Sequence, residues 1–322
     1  DNKDPVLKIK DKESKHLIFR TSTWQRGEIR AMEEAKMFAY AMNYVKVNKP
    51  DFVLTFGGML FEQLLVSNLQ KLNIKTCMYL VNENYLGSND FLSKYDYVFT
   101  DSDATKNLYK KQRGDIFNIG KFISTNKVAQ NIDTNKQQFI TMINPSPEKG
   151  VEIFIKLADT FKNDPKYQFL IVESRGKFEK VLPIYGKKLS DFNNIKIIPF
   201  QENMSKIYAI TKVLLLPSLW HESGSRVAVE SLLNNIPVLA TDRGGNKEML
   251  RGSGILIPPP NAQKEKMYRL PPDFDITPWV SHLKKLIENS DFYKNEQEKA
   301  SNAALSYDLL KSAQNLEKLL LG

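Results

Sequence analysis

Residues 212–258, KVLLLPSLWHESGSRVAVESLLNNIPVLATDRGGNKEMLRGSGILIP, alternate short apolar runs with polar loops. Val213 to Leu216 is apolar and short enough for a buried parallel strand, and Pro217, which lacks an N–H, stops it. A loop follows with Trp220, His221, Glu222, Ser223, Gly224 and Ser225. From Arg226 onward, Val227, Val229, Leu232 and Leu233 suit a helix packed on a sheet, and Asn234-Asn235 ends it before a strand over Ile236 to Ala240. The whole reads strand, loop, helix, strand, loop, strand. Ser223-Gly224-Ser225 therefore falls where a strand's carboxyl end meets a helix amino terminus.

The first turn of a helix has backbone N–H groups without intrahelical partners and carries the positive end of the helix dipole, so it favours a phosphate. Gly224 allows a ligand to approach the main chain closely. Glu230 lies four residues beyond Arg226 on the same helix face, where a carboxylate can accept hydrogen bonds from both hydroxyls of a ribose. Glu222, ahead of the helix, points to the space of a group attached to that phosphate. Phosphate, ribose and attached group together describe a nucleotide-sugar.

Glu222 and Glu230 are separated by seven residues within HESGSRVAVESLLNNIPVLATDRGG, and Gly244, Gly245 and Glu248 form a Gly-Gly-x-x-Glu turn. This run resembles the signature of the retaining glycosyltransferases of family 4, in the group 1 glycosyl transferases. The resemblance implies an α/β protein of the GT-B fold, two Rossmann-like domains facing across a cleft. It also implies transfer of a sugar from a UDP- or GDP-linked donor to a glycan or lipid-linked acceptor, in polysaccharide or glycoconjugate synthesis, without a metal or other cofactor. Glu222 is then the catalytic candidate. In relatives the loop before the first helix of the second domain carries an Arg and a Lys for the two phosphates. Lys149 matches the Lys, Asn144 or a neighbour stands at the Arg position, and Arg175 can replace the missing charge. Met204 is the candidate for apolar contact with the base, and His221, Ser223, Gly224, Ser225, Arg226 and Glu230 complete the donor-binding set.

Length and composition set bounds on this reading. At 322 residues the chain suits two domains, and 42% hydrophobic with 26% charged residues is ordinary for a globular protein. No apolar run approaches the roughly 18 residues of a bilayer span, and the start shows no signal-peptide pattern. The lone Cys77 excludes an internal disulfide, agrees with a cytoplasmic location, and sits in an apolar run as a small buried hydrophobe. The net charge is +9, spread as 20 Lys and Arg against 15 Asp and Glu in residues 1–130 and 26 against 22 in the rest. No nucleic-acid motif accompanies it, so nucleic acid is not an expected partner. Weak association with an anionic membrane surface, on the inner face of the membrane, is.

In chain order, strands are expected over His16 to Arg20, Asp51 to Phe56, Thr76 to Val81 and Tyr97 to Thr100, with helices over Glu28 to Val47 and Met59 to Leu72. A polar linker from Ser124 to Lys136 places the boundary. The expected domains are residues 1–130, an acceptor-side unit that is short or truncated, residues 131–305, which bind the nucleotide-sugar, and a terminal helix over 306–322 that packs back on the first. The second domain begins with a strand at Gln138 to Ile143 and a helix at Val151 to Phe161. Tyr167 to Glu173 and Asn194 to Phe200 add strands, and a helix covers Thr277 to Glu288. Alternation of strands and helices implies parallel sheets.

Asp101-Ser102-Asp103 spells a metal-binding Asp-x-Asp, but it follows a strand and precedes a helical run, so Ser102 or Asp103 reads more simply as a helix cap. Relatives often place a histidine after the strand matching Thr76 to Val81, where this chain has Asn82, Glu83, Asn84 and Tyr85. That departure, with the short first domain and no recognisable glycine-rich loop after its first strand, supports an alternative reading: a non-catalytic nucleotide-sugar-binding protein of the same fold.

Overall fold

The computed structural model describes residues 6–11, 14–23, 25–87, 90–128, 136–262 and 264–322. By internal contacts the chain divides into residues 1–80 with 85–99, and residues 81–84 with 100–322. The sequence placed its boundary later, near residues 124–136. Of that linker, residues 129–135 lie outside the described residues.

The first unit opens with β1 (Val6–Asp11) and β2 (Ser14–Phe19), an antiparallel hairpin that the charged character of residues 1–15 concealed. Then follow α1 (Ala31–Asn48), β3 (Phe52–Thr55), α2 (Leu60–Lys71), β4 (Lys75–Tyr79) and β5 (Tyr97–Thr100). β3, β4 and β5 pair in parallel. Val45, Leu65, Leu69 and Ile74 form the small core between these helices and strands. Cys77 is buried, and burial pushes its thiol up to about 11, so it packs as an inert hydrophobe.

The second unit contains α3 (Asp103–Tyr109), β6 (Ile116–Asn118), α4 (Thr125–Val128), β7 (Phe139–Ile143), α5 (Val151–Thr160), β8 (Gln168–Val172), α6 (Phe178–Val181) and β9 (Ile195–Ile198). It continues through α7 (Ser205–Tyr208), β10 (Thr211–Leu216), α8 (Arg226–Leu232), β11 (Val238–Thr241), α9 (Asn246–Leu250) and β12 (Ile255–Ile257). The chain closes with α10 (Thr277–Glu288), α11 (Ser290–Ala304) and α12 (Leu309–Leu321). The strand expected over Ile236 to Ala240 starts later, at Val238. Ile236 N instead bonds the Ser231 carbonyl in the turn that follows α8, beside Asn235 at φ 55°.

β12, β11, β10, β7, β8 and β9 form one parallel sheet in that order. Successive side chains on a strand point to opposite faces, and β10 shows the consequence. Val213 and Leu215 enter a core with Phe154, Trp279, Leu283 and Leu286 of α5 and α10. Leu214 and Leu216 enter a second core with Ala228, Val229, Leu232 and Ala300 of α8 and α11. Covering both faces explains why these strands read as continuous apolar runs rather than alternating ones. Each fully buried large side chain contributes roughly 1.5–3 kcal/mol relative to exposure. The terminal helix α12 has no buried residue, in contrast to the packed helix expected from its leucines.

Candidate donor-site cluster

Counting along the sheet from β9 to β12, the strands run in the order three, two, one, four, five, six, so the winding reverses between β7 and β10. In doubly wound sheets ligands bind outside the carboxyl ends of the strands at such a reversal, because the loops there diverge. The loops concerned are residues 144–150 after β7 and 217–225 after β10. They are tied together where Leu219 N and Trp220 N donate to the Glu148 carbonyl, at 2.9 and 3.2 Å.

Glu222 is 5% exposed, and its Oε1 accepts bonds from Lys149 Nζ and Ser218 Oγ, each at 2.5 Å. Lys149 Nζ also lies 4.6 Å from the centre of the Trp220 ring, a cation–π contact. Burial alone raises the Glu222 pKa. The Lys149 charge and the bonds from Lys149 and Ser218 outweigh it, with a smaller contribution from Trp220, and hold the carboxyl below its usual range. The Trp220 indole N–H acts on the carboxylate without closing a full hydrogen bond. Both bonds to Glu222 fall on Oε1, so Oε2 retains acceptor capacity.

Ser225 caps α8, its Oγ accepting from Ala228 N at 3.4 Å. One turn later Glu230, 5% exposed, accepts from Arg226 Nε at Oε1 and from Tyr208 OH at Oε2, both at 2.6 Å. Burial and the adjoining carboxylate push the Tyr208 phenol well above its ordinary value, so it remains a donor. Each Glu230 oxygen is thereby oriented with lone-pair capacity to spare.

The loop before α8 rests on groups the sequence did not assign to the site. Asp101, 1% exposed at the end of β5, accepts from Lys121 Nζ at 2.7 Å on Oδ2 and from Ser223 Oγ on Oδ1. A Cβ on Gly224 would come within 2.7 Å of that carboxylate, so the group crowding this glycine is a protein side chain. Thr105 Oγ1 donates to Ser223 Oγ at 2.9 Å and lies 3.0 Å from His221 Nε2. Burial chiefly lowers the His221 pKa; Arg243 adds to this, while Glu83, Glu222 and Asp101 oppose it.

The Gly-Gly-x-x-Glu turn braces the same loop. Gly244 has φ 57°, and a Cβ there would sit 2.1 Å from the Glu222 carbonyl, while one on Gly245 would sit 1.9 Å from the Ser223 carbonyl. Gly245 N donates to the Glu222 carbonyl at 2.6 Å. Glu248 reaches α3, accepting from Asp103 N and Ala104 N at 2.6 Å each. Ser102 is the cap residue of α3 and accepts from Thr105 N. Asp101 is committed to Lys121 and Ser223, and among the described residues no group of three or more His, Cys, Asp or Glu is placed to hold a metal ion.

The sequence-predicted residues thus separate into two sets. Lys149, His221, Glu222, Ser223, Gly224 and Ser225 lie in the loops at the reversal point, and Arg226 and Glu230 lie on α8, which follows the second loop. Asn144, Arg175 and Met204 make no hydrogen bond or ion pair to Glu222 or Glu230 among the described residues. Asn144 takes a left-handed conformation at φ 63° and its Oδ1 accepts from Gly176 N at 2.9 Å, fixing the turn after β8. Arg175 is exposed in that turn. Met204 is half-buried against the cores on both sides of α7. Tyr208, Thr105 and Lys121 were missed because their partners lie 22, 118 and 20 positions away, whereas Ser218 sits only four positions from Glu222 in the same loop and was passed over there.

The family model described as "Glycosyl transferases group 1" matches residues 122–270, a little under half of the chain. No curated protein matches the chain significantly in sequence. Among solved structures, sucrose-phosphate synthase from Thermosynechococcus elongatus superposes with a TM-score of 0.75 at 13% identity, over 99% of this chain and 85% of its own. HepE from Anabaena, in complex with UDP and glucose, gives 0.68 at 16% identity over 91% and 82%. TarM gives 0.68 at 17% identity over 88% of this chain; the chain spans 58% of TarM, less than two thirds of its length. With the parallel Rossmann-like sheet, these likenesses give the chain the GT-B fold.

Proposed function

We propose that this protein is a retaining glycosyltransferase of family 4 that moves a sugar from a UDP- or GDP-linked donor to a glycan or lipid-linked acceptor. The observation that carries this reading is the meeting of Lys149 and Glu222 at the winding reversal of a doubly wound sheet, in the loop that leads into α8 with its oriented Glu230. The family match over residues 122–270 and the fold shared with HepE, solved with UDP and glucose, support it.

In this reading Glu230 accepts the ribose hydroxyls, and the capped start of α8 with Ser225, Arg226 and Lys149 faces the diphosphate. Lys149 then divides its charge between Glu222 and the departing phosphate. Positive charge and N–H donors at that point stabilise the leaving diphosphate without calling on a metal. Glu222, held ionised, orients sugar hydroxyls and favours the positive charge that develops at the anomeric carbon. Retention follows when the acceptor attacks from the face the phosphate leaves, with that phosphate taking the acceptor's proton.

Residues 131–305 serve in this reading as the donor-binding domain. The working place is the cytoplasmic side of a membrane bearing lipid-linked or glycan acceptors, in polysaccharide or glycoconjugate synthesis. Among the described residues no helix is long and apolar enough to cross a membrane. Proton NMR of reactions with UDP- and GDP-sugars and a panel of simple glycosides tests the reading. A product with the donor's anomeric configuration supports it, and an inverted product overturns the retaining assignment.

A further inference from the structure

Five side chains beside the donor-site loop, those of Asp101, Ser102, Thr105, His221 and Ser223, form a chain of hydrogen bonds whose direction is fixed at one end. Asp101, paired with Lys121, is a carboxylate and only accepts, so the Ser223 hydroxyl donates to it. The Ser223 oxygen must then receive its bond from Thr105, 2.9 Å away, because its own hydrogen is spent. Thr105 has one hydrogen and has used it. Its oxygen is left to accept, from Ser102 Oγ at 3.1 Å and from His221 Nε2 at 3.0 Å. The opposite direction would leave the oxygens of Thr105 and Ser223 facing each other without a hydrogen between them. Three members of the chain, Asp101, Ser102 and Thr105, are at most 1% exposed, so water cannot easily repair such a mismatch.

We propose that this directed chain holds His221 as its Nε2–H tautomer and offers Nδ1, as an acceptor, to a hydroxyl of the sugar. His221 makes no bond through Nδ1 to any described residue. It adjoins Glu222, the residue assigned to the sugar. The identity of the ligand rests on the nucleotide-sugar reading; the tautomer does not. His221 is thereby a specificity residue, and Thr105, Ser223 and Asp101 are positioning residues acting through it. The charged groups that bear on the ring are Glu83, Glu222 and Asp101, which favour protonation, and Arg243, which opposes it together with burial.

The chain has three histidines, so long-range proton–nitrogen correlation on protein labelled at histidine resolves each one, with His16→Gln and His282→Gln assigning the signals. At pH 7.5 the wild type should show a neutral His221 protonated on Nε2. Thr105→Val, which keeps the shape and removes the hydroxyl, should move both nitrogens toward averaged tautomers, and Thr105→Ser should restore the wild-type pattern. An Nδ1–H or averaged ring in the wild type, or no effect of Thr105→Val in a folded sample, would overturn the tautomer.

Addition of UDP-glucose, compared with UDP, tests the ligand half. A shift of Nδ1 with UDP-glucose alone is the expected result. Binding of both with Nδ1 unmoved would overturn the sugar contact. Binding of neither would remove UDP-glucose as the donor, and the sugar contact assigned to it, while the tautomer stands or falls on the first measurement. His221→Gln, which can keep a donor toward Thr105 but has no counterpart of Nδ1, should weaken UDP-glucose by about tenfold and leave UDP binding unchanged.

Discussion

Lys149 Nζ lies 2.5 Å from Glu222 Oε1, joining the loop after β7 to the loop after β10 through a pair in which the carboxylate is almost wholly buried. Removing one member of a buried pair leaves an uncompensated charge, at a cost of about 3–5 kcal/mol. Lys149→Met should therefore destabilise by much of that amount, and Glu222→Gln by less, because the amide needs no counter-charge. A double-mutant cycle in urea checks this, with non-additivity above about 0.5 kcal/mol expected for residues in contact.

Gly244→Ala should be among the most damaging single-atom-group changes in the chain. It combines φ 57° with a Cβ that would sit 2.1 Å from the Glu222 carbonyl. Incompatible backbone substitutions of this kind cost more than about 1 kcal/mol. Loss of nucleotide binding alongside a lowered melting temperature is expected, since the displaced backbone belongs to Glu222 itself.

Glu248→Gln keeps the shape of the cap on α3 but leaves one acceptor oxygen for two donors, so either Asp103 N or Ala104 N loses its partner and meets an NH2 group. Helix-cap losses run from about 0.5 to 2 kcal/mol. Faster hydrogen exchange at these two amides, with Glu222 and Glu230 unaffected, is the expected signature.

Acid should destabilise the fold in two windows. His221 and His282 both lie below their ordinary value of 6.5, chiefly through burial. Just below that pH the unfolded chain binds more protons than the folded one, so stability rises with pH there and levels off above it. Glu222 lies below its ordinary 4.5, so its contribution is present above that value and lost as the pH falls through the folded pKa. Urea midpoints from pH 2 to 8 should show both slopes, with His221→Gln and His282→Gln each reducing the upper one.

The strands β7 to β12 and the longer helices α5, α8 and α10 were legible in the sequence because burial on both sheet faces leaves apolar runs that local patterns report, whereas β6 and the one-turn helices α4, α6, α7 and α9 are too short to give a period. α10, expected at about Thr277 to Glu288, spans those residues. The β1–β2 hairpin was not, because five of the six residues of β1 are exposed and its polar positions mask the alternation. Within the site, Lys149, Glu222 and Glu230 were visible through spacing and resemblance. The supports were hidden: Asp101 and Ser223 are 122 positions apart, and Glu248 reaches Asp103 across 145. Asp101 was weighed as part of a metal motif, and its pairing with Lys121 depends on a fold that no local pattern encodes. Gly224 shows the same limit, since its missing side chain makes room for Asp101.

On the proposed function, the loops at the reversal between β7 and β10 hold a nucleotide-sugar. Melting temperatures of the wild type and Glu230→Gln, measured with UDP, GDP, ADP and their common sugar conjugates, test it most directly. A ligand present at a hundred times its dissociation constant adds about 2.7 kcal/mol to the stability of the folded state. A clear rise with one nucleotide and its conjugate is expected in the wild type, largely lost in Glu230→Gln. No rise with any of them in a folded wild type, or an equal rise in the variant, would contradict the proposed function.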